Sequence, residues 1–455
     1  MNFYPLLKQR QQDGNPVKVG VIGAGKFSSM FLSQVRLTPG MQLVGIAELD
    51  GKKAKESLAR TGWLDEASSF ADKVDDINDT ARTGKVAITS DALELINADL
   101  DVILEITGNP EVGTIHAVSA IDAQKHVVMV NVEADCLLGA SLSRRAQKQG
   151  VIYSMAYGDQ PALIAEQLDW ARTVGFEVVC TGKGTRFQPE YHFSTPETVW
   201  GYYGFSEERV AGGDYNAQMF NSFLDGSKSA IEMCAVANGS GLIPQKGGLK
   251  FPPVDIDDLA DVLKPEVDGG ILEHSGTVEV IASENRDGSP VAKDLRWGVY
   301  VVFKAPTGYV ERCFQEYGMK TDASGKYSAL YRPYHYIGLE LGISAASAVL
   351  REEATGCAQQ FLADVASIAK KDLNPGDVLD GEGGYTVFGK LKRAEESVSE
   401  NVLPLGLTGR ARVIKSVKKG ELLTYDHVEL NTKSLAYSLR KELETELLQQ
   451  RKNQS

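Results

Sequence analysis

The sequence predicts an α/β protein: a doubly wound parallel sheet at the N-terminus, an α+β middle domain, and a small β-rich C-terminal domain. Three observations carry this prediction. An apolar run over 17–22 meets a glycine-rich turn and then a helical pattern. Short apolar runs alternate with helix-length segments as far as residue 155. Beyond residue 366 the chain becomes β-rich and glycine-punctuated, with a weak internal repeat. The implied divisions are 1–155, 156–365 and 366–455, a reasonable partition for 455 residues.

In the first division, the strand over 17–22 ends at Gly23-Ala24-Gly25-Lys26-Phe27-Ser28. Phe27, Met30, Phe31 and Val35 then recur on one helical face. Strand, glycine turn and helix together form the context of a Rossmann dinucleotide site. Gly23 permits the tight turn, Gly25 lets backbone approach a pyrophosphate, and Lys26 and Phe27 head the helix whose amides face it. Ser28 replaces the usual third small residue.

The strand over 42–47 ends at Glu48-Leu49-Asp50, spaced to meet the adenosine ribose hydroxyls. Lys52 and Lys53 follow at once and could hold a 2′-phosphate, or simply open a solvated helix, so spacing leaves NAD and NADP both open. Further strands are expected at 86–89, 101–106, 126–131 and 151–155, with helices at 112–123 and 138–149 between them. Two strand-end loops, containing Gly108-Asn109 and Asn131-Val132-Glu133, are expected to face the nicotinamide half.

In the middle division, Asp159 is expected to cap a helix running to about residue 174. A strand over 177–180 should lead into a turn, Thr181-Gly182-Lys183-Gly184-Thr185-Arg186, whose cations are placed to meet an anion or a carbonyl, or are merely solvated. The segment 216–237 reads as one amphipathic helix, with Asn221, Asp225, Lys228 and Glu232 on one face and Ser222 beside them. Arg332 and His335 stand among three tyrosines, ahead of a helix expected over 339–350. An anion near that helix terminus, or a plain ion pair, would explain the cations.

The tail repeats itself weakly, 369–379 echoing 416–423, and ends in a helix over 433–450 with Leu435, Leu439, Leu443 and Leu447 as its docking stripe. Composition excludes other classes. Lys and Arg number 48 against 61 Asp and Glu, a net charge of −13, which disfavours nucleic acid and anionic membrane surfaces as partners. No apolar stretch is long enough to span a membrane, and no signal peptide is evident at the start. The five cysteines contain no C-x-x-C pair, so free thiols and a cytoplasmic location are expected.

With these residues described, the chain resembles the homoserine dehydrogenase-like oxidoreductases that carry a C-terminal SAF domain. A characterised branch of that family, which the chain resembles, is the 1-deoxy-D-xylulose 5-phosphate reductoisomerase-like proteins; related sequences act on other sugar derivatives. The pieces that carry the resemblance are 19–27, 125–135, Tyr331-Arg332-Pro333-Tyr334-His335, and the tail. The resemblance implies an NADPH-dependent homodimer converting 1-deoxy-D-xylulose 5-phosphate to 2-C-methyl-D-erythritol 4-phosphate, in isoprenoid precursor synthesis. It therefore implies NADP(H) rather than NAD(H), and an anionic, phosphorylated substrate.

Catalytic roles would fall to Lys183, Asp225, Lys228 and His335, and substrate contacts to Arg186, Asn221, Ser222 and Arg332. Cofactor contacts would come from Gly23, Gly25, Lys26, Phe27, Glu48, Asp50, Gly108, Asn109, Asn131 and Glu133. A divalent Mg or Mn ion is a family expectation without dedicated spacing; candidate oxygen ligands are Glu133, Asp135, Asp159, Asp214 and Asp225. Two other readings stand beside it. One is an NAD(P)-dependent dehydrogenase of a small polyol, sugar acid or homoserine-like substrate. The other is a non-catalytic NADP-binding sensor.

Overall fold

A computed structural model describes residues 2–213 and 215–454. The chain divides into two compact units, 1–162 with 336–359, and 163–335 with 360–455. Among the described residues no helix is long and apolar enough to cross a membrane.

The first unit is built on seven parallel strands: β1 (Val17–Ile22), β2 (Met41–Ala47), β3 (Ser68–Phe70), β4 (Val86–Thr89), β5 (Val102–Glu105), β6 (His126–Met129) and β7 (Tyr153–Met155). Their order is β3-β4-β2-β1-β5-β6-β7, so strand order reverses at β1. That reversal opens a crevice beyond the carboxyl ends of β1 and β5, the usual ligand position in such sheets. Both faces are covered by helices, which is why the strands are apolar throughout rather than alternating. Val19, Val21, Phe31, Leu32 and Ile46 lie in the core. The late helix Gly342–Arg351 adds Ala345 and Ala346 to that same core, although nearly two hundred residues intervene after β7. The helix expected over 138–149 begins earlier, as Val132–Gln149, because the Asn131 side chain caps it at Ala134 N.

The second unit contains a four-stranded sheet of β8 (Glu177–Thr185), β9 (Thr277–Ala282), β10 (Val299–Lys304) and β11 (Tyr327–Arg332), ordered β11-β10-β8-β9. Two expectations fail here. The segment 181–185 is not a turn but the second half of β8. Gly182 and Gly184 are there because a Cβ on either would lie 1.8 Å from Glu279 O or 2.0 Å from Leu295 O. Nor is 216–237 one helix: Ala217–Leu224 and Ser227–Ser240 are separated at Gly226, whose φ is +86°. The proposed single polar stripe of Asn221, Asp225, Lys228 and Glu232 therefore does not exist as drawn.

The tail forms an antiparallel pair, β12 (Ala363–Ala369) and β13 (Val387–Arg393), with short bridges around it. The weak sequence repeat is a structural one. Leu373 and Val417 exchange both backbone hydrogen bonds, at 2.8 and 3.0 Å. Gly376 and Gly420 take matching turns, with φ of +100° and +84°. The last helix, Leu435–Gln454, buries Leu443, but its most buried long side chain is a cation. Arg440 donates to Asp364 Oδ2 at 2.6 Å and Glu444 Oε1 at 2.8 Å, beside the Phe361 ring.

Candidate functional sites

In the first unit, β1 runs into a turn that only glycine can make comfortably. Gly23 has φ of +101°, and a Cβ there would approach Ile106 O to 3.1 Å. Gly25 is the N-cap of the helix Lys26–Val35, which has neither a side-chain cap nor an acidic residue in its first turn. A Cβ on Gly25 would meet nothing within 4 Å. The first amides of this helix thus face an open cradle with positive dipole character, a fit for a pyrophosphate. The next helix, Gly51–Arg60, is different, because Asp50 caps it through Lys52 N at 3.0 Å. Asp50 Oδ1 is thus engaged as a helix cap.

Glu48 closes the same turn. Its Oε2 accepts the Ala24 N–H at 2.8 Å, and Lys53 lies 3.6 Å away. Ser28 is buried without a hydroxyl partner, so smallness explains it, as close helix packing requires.

At the ends of β5 and β6 a second network gathers. Glu105 is 0% exposed; its Oε1 accepts the Thr107 hydroxyl at 2.6 Å and lies 3.2 Å from His116 Nδ1. Asn131 Nδ2 donates to Asn109 O at 2.9 Å, while the Asn109 side chain caps the helix Pro110–Asp122 at Glu111 N and Val112 N. Gly108, with φ of +69°, has open space where a side chain would be. Glu133 stands half-buried in the first turn of the following helix. Glu105 and His116 escaped the sequence reading; a lone acid ending an otherwise apolar strand was the available signal.

In the second unit, Lys183 sits on β8 with its ammonium on Glu232 Oε2, both side chains under a tenth exposed. Lys183, Val299 and Arg332 share one register row of the sheet, which brings Arg332 to the same end. His335 Nδ1 bonds Trp297 O at 2.7 Å. Packing around the ring holds the His335 imidazole below its usual range, with Glu232 acting in the opposite direction. Arg186, just past β8, pairs with Glu284 at 2.8 Å. Lys183, Arg186, Arg332 and His335 are therefore gathered at one end of the four-stranded sheet.

Other predicted residues have different surroundings. Asp225 is 0% exposed and bound by Lys370 Nζ at 2.6 Å; burial raises its carboxyl and Lys370 lowers it. Lys370 also donates to Ser194 O and Gly384 O, both at 2.8 Å. Asn221 is buried too, donating to Ser194 O and to Gly383 O. Ser222 turns its hydroxyl onto Met219 O. Lys228 is half-buried in the first turn of Ser227–Ser240.

Three of the acidic residues named for a metal have other partners. Asp225 holds Lys370, Asp135 takes the Tyr153 hydroxyl at 2.9 Å, and Asp159 caps Gln160 N at 2.8 Å. Among the described residues no three His, Cys, Asp or Glu converge as a metal site. Asp214 lies outside the described residues.

Residues 158–341 match the family model described as oxidoreductase DRL, catalytic domain. No curated protein matches the chain. Solved structures that it resembles include a Lactobacillus casei myo-inositol dehydrogenase in complex with NAD(H) and myo-inositol, 14% identical over 40% of this chain and 50% of that one, TM-score 0.27. The scyllo-inositol dehydrogenase of the same organism, with NAD(H) and scyllo-inositol, is 13% identical over 64% and 75%, TM-score 0.33. A Synechocystis biliverdin reductase in complex with biliverdin and NADP+ is 20% identical over 40% and 54%, TM-score 0.26. The chain spans about half the length of the first structures it matches. The family match covers the middle of the chain and reaches neither the glycine-rich turn nor the tail, so the SAF part of the resemblance gains nothing from it.

Proposed function

We propose that this protein is an NAD(P)-dependent oxidoreductase that works as a dehydrogenase on a small hydroxylated substrate. The observation that carries the reading is the uncapped helix start at Gly25, open in front and flanked by Glu48. The oxidoreductase family match over 158–341 agrees with it. A bound nicotinamide would supply hydride chemistry. Gly23, Gly25, Lys26 and Phe27 would hold the pyrophosphate by backbone amides. Gly108, Asn109, Asn131 and Glu133 would border the nicotinamide side.

Glu48 favours NAD(H) over the NADP(H) that the resemblance implies. Its carboxylate suits ribose hydroxyls and repels a 2′-phosphate, and the neighbouring Lys53 is already drawn to it. In the second unit, Lys183 is the candidate for moving the proton of the reacting hydroxyl. A lysine on a rigid strand, held by Glu232, can relay a proton if the substrate oxygen comes within hydrogen-bond reach. Arg186, Arg332 and His335 would orient the substrate. Asp225 and Asn221 are assigned to structure instead, since Lys370, Ser194 and Gly383 occupy them.

The reductoisomerase expectation is not kept: the family match goes no further than an oxidoreductase, and the dehydrogenase reading fits it without a rearrangement. The homodimer implied by the resemblance stays part of the proposal.

Fluorescence titration with NADH and NADPH tests the cofactor reading. NADH should bind more tightly, and Glu48→Gln should narrow the gap. Failure of both cofactors to bind would sink the proposal. Turnover of 1-deoxy-D-xylulose 5-phosphate with NADPH and Mn²⁺ would restore the reductoisomerase.

A further inference from the structure

In the second unit the tail strands β12 and β13 pack against the helix Ser227–Ser240, and the packing leaves a cavity of about 270 Å³ beside them. Its lining includes His192, Leu249, Phe251, Ile368, Phe388 and Lys390, none of which belongs to either candidate site. A water molecule takes up about 30 Å³ in the liquid, so this is room for a small organic molecule rather than for one bridging water. The wall stays open at Gly247 and Gly420, where an added Cβ would meet nothing within 4 Å.

The polar group of that lining is held in one orientation. The His192 ring stacks on Phe388 at a centroid distance of 4.6 Å, and Phe187 and Phe251 meet it edge to face at 5.0 and 6.1 Å. Gly226 leaves the ring its place, since a Cβ there would lie 3.2 Å from His192 Cε1. His192 Nδ1 lies 2.7 Å from Asp225 O. A carbonyl only accepts, so Nδ1 carries the proton and Nε2 of the neutral ring presents a lone pair. Burial holds this imidazole below its usual range; Asp225 opposes that, and the Lys390 and Lys370 ammonium groups add to it. Among the described residues nothing donates to Nε2. Lys390 is exposed, and among the described residues no carboxylate pairs with it. An apolar cavity thus offers one acceptor inside and one uncompensated cation.

We propose that this cavity binds a small aromatic carboxylic acid with a ring hydroxyl. The hydroxyl would donate to His192 Nε2, the ring would pack against Phe251 and Phe388, and the carboxylate would face Lys390. Aromatic walls favour an aromatic ligand through edge and face contacts that aliphatic ones lack. One ammonium balances the single charge of a carboxylate, whereas a phosphate would bring close to two. The inference goes beyond the oxidoreductase reading and does not depend on it.

The test uses the full chain and saturation transfer to the ring protons of three probes: 4-hydroxybenzoate, benzoate and phenol. 4-Hydroxybenzoate should bind saturably at millimolar concentration or below. Benzoate lacks the donor and phenol lacks the charge, so each should bind about threefold or more weakly than it. Lys390→Glu, at an exposed position, should weaken 4-hydroxybenzoate by about fivefold or more and leave phenol unchanged. His192→Phe keeps a ring but no acceptor, and should reduce 4-hydroxybenzoate to the affinity of benzoate. If that variant does not fold, the three probes on wild type and Lys390→Glu decide alone. A wild-type chain that does not bind 4-hydroxybenzoate saturably, or Lys390→Glu binding it like wild type, overturns the inference. Excess NADH should leave the probe bound. Displacement by NADH would place the probe in the glycine cradle and overturn the inference as well.

Discussion

Around Gly23–Lys26 the proposed contacts are backbone amides, whereas around Lys183 they are side chains brought together from separate segments. The first arrangement needs one strand, one turn and one helix, all within twenty residues of each other. The second needs β8, the helix Ser227–Ser240, the turn at Trp297 and the end of β11. A backbone site tolerates side-chain change except where a Cβ intrudes. A side-chain site fails when any one supporting pair is broken. The two should therefore respond to mutation differently, the second losing stability together with binding and the first losing binding alone.

The largest effect is expected where a buried pair in the second unit loses one partner. Lys370→Met leaves Asp225 ionisable, fully enclosed and without its cation, which typically costs about 3–5 kcal/mol. Urea unfolding should show this as a lower midpoint. Adding Asp225→Leu should return much of the loss, because the uncompensated charge goes with it. If Lys370→Met is as stable as wild type, the pair is not structural, and Asp225 returns to the list of functional candidates.

A pH effect separates the first unit from the second. Burial pushes the Asp135 carboxyl up to about 6, while the Tyr153 hydroxyl pulls weakly the other way. The folded state then binds that proton more tightly than the unfolded chain. Its contribution is full below about pH 4 and is lost as pH rises to about 6, a change of about 3 kcal/mol. Asp135→Asn should lessen the fall of stability with pH across that window. Glu279 in the second unit, pushed up to about 7 by burial, acts with the same sign at higher pH, so its signal should survive the Asp135 change. Unfolding midpoints that fall equally with pH in wild type and Asp135→Asn would contradict this.

A smaller effect is expected at the glycine cradle. Gly25 has an ordinary φ of −80° and open space at its Cβ. Gly25→Val should shift stability by no more than about 0.5 kcal/mol. Its methyl groups would occupy the space assigned to the pyrophosphate, so NADH affinity should fall by about tenfold or more. Equal NADH affinity in the variant would move the dinucleotide away from this turn.

The same contrast explains what could be read from sequence. Val17–Ile22 and Val86–Thr89 form strands with the expected bounds, because each depends on neighbours in the chain. The tail repeat was also legible, since two similar segments make similar turns at Gly376 and Gly420. What escaped depends on distant partners. Gly182 and Gly184 look like a turn signal, yet they are strand positions pressed by Glu279 O and Leu295 O. The break at Gly226 is hidden in a continuous helical pattern. His192 is an ordinary histidine until Phe251 and Phe388 are seen beside it. Arg440 reads as the polar side of a leucine stripe, but Asp364, some seventy residues earlier, turns it inward.

Asn109 gives the smallest expected effect and the most discriminating one. The residue stands in a loop expected to face nicotinamide, but its side chain already serves as a helix cap. Asn109→Ala should cost about 1 kcal/mol by leaving two amides uncapped. Asn109→Ser keeps a capping oxygen and should restore most of that stability. NADH affinity of the serine variant then decides between two roles. If it stays at the wild-type value, Asn109 acts only by holding the loop that carries Gly108. If affinity falls although the helix start is as stable as before, the amide itself contacts the cofactor. In that case the first unit contains a side-chain contact after all, and its contrast with the second is one of degree.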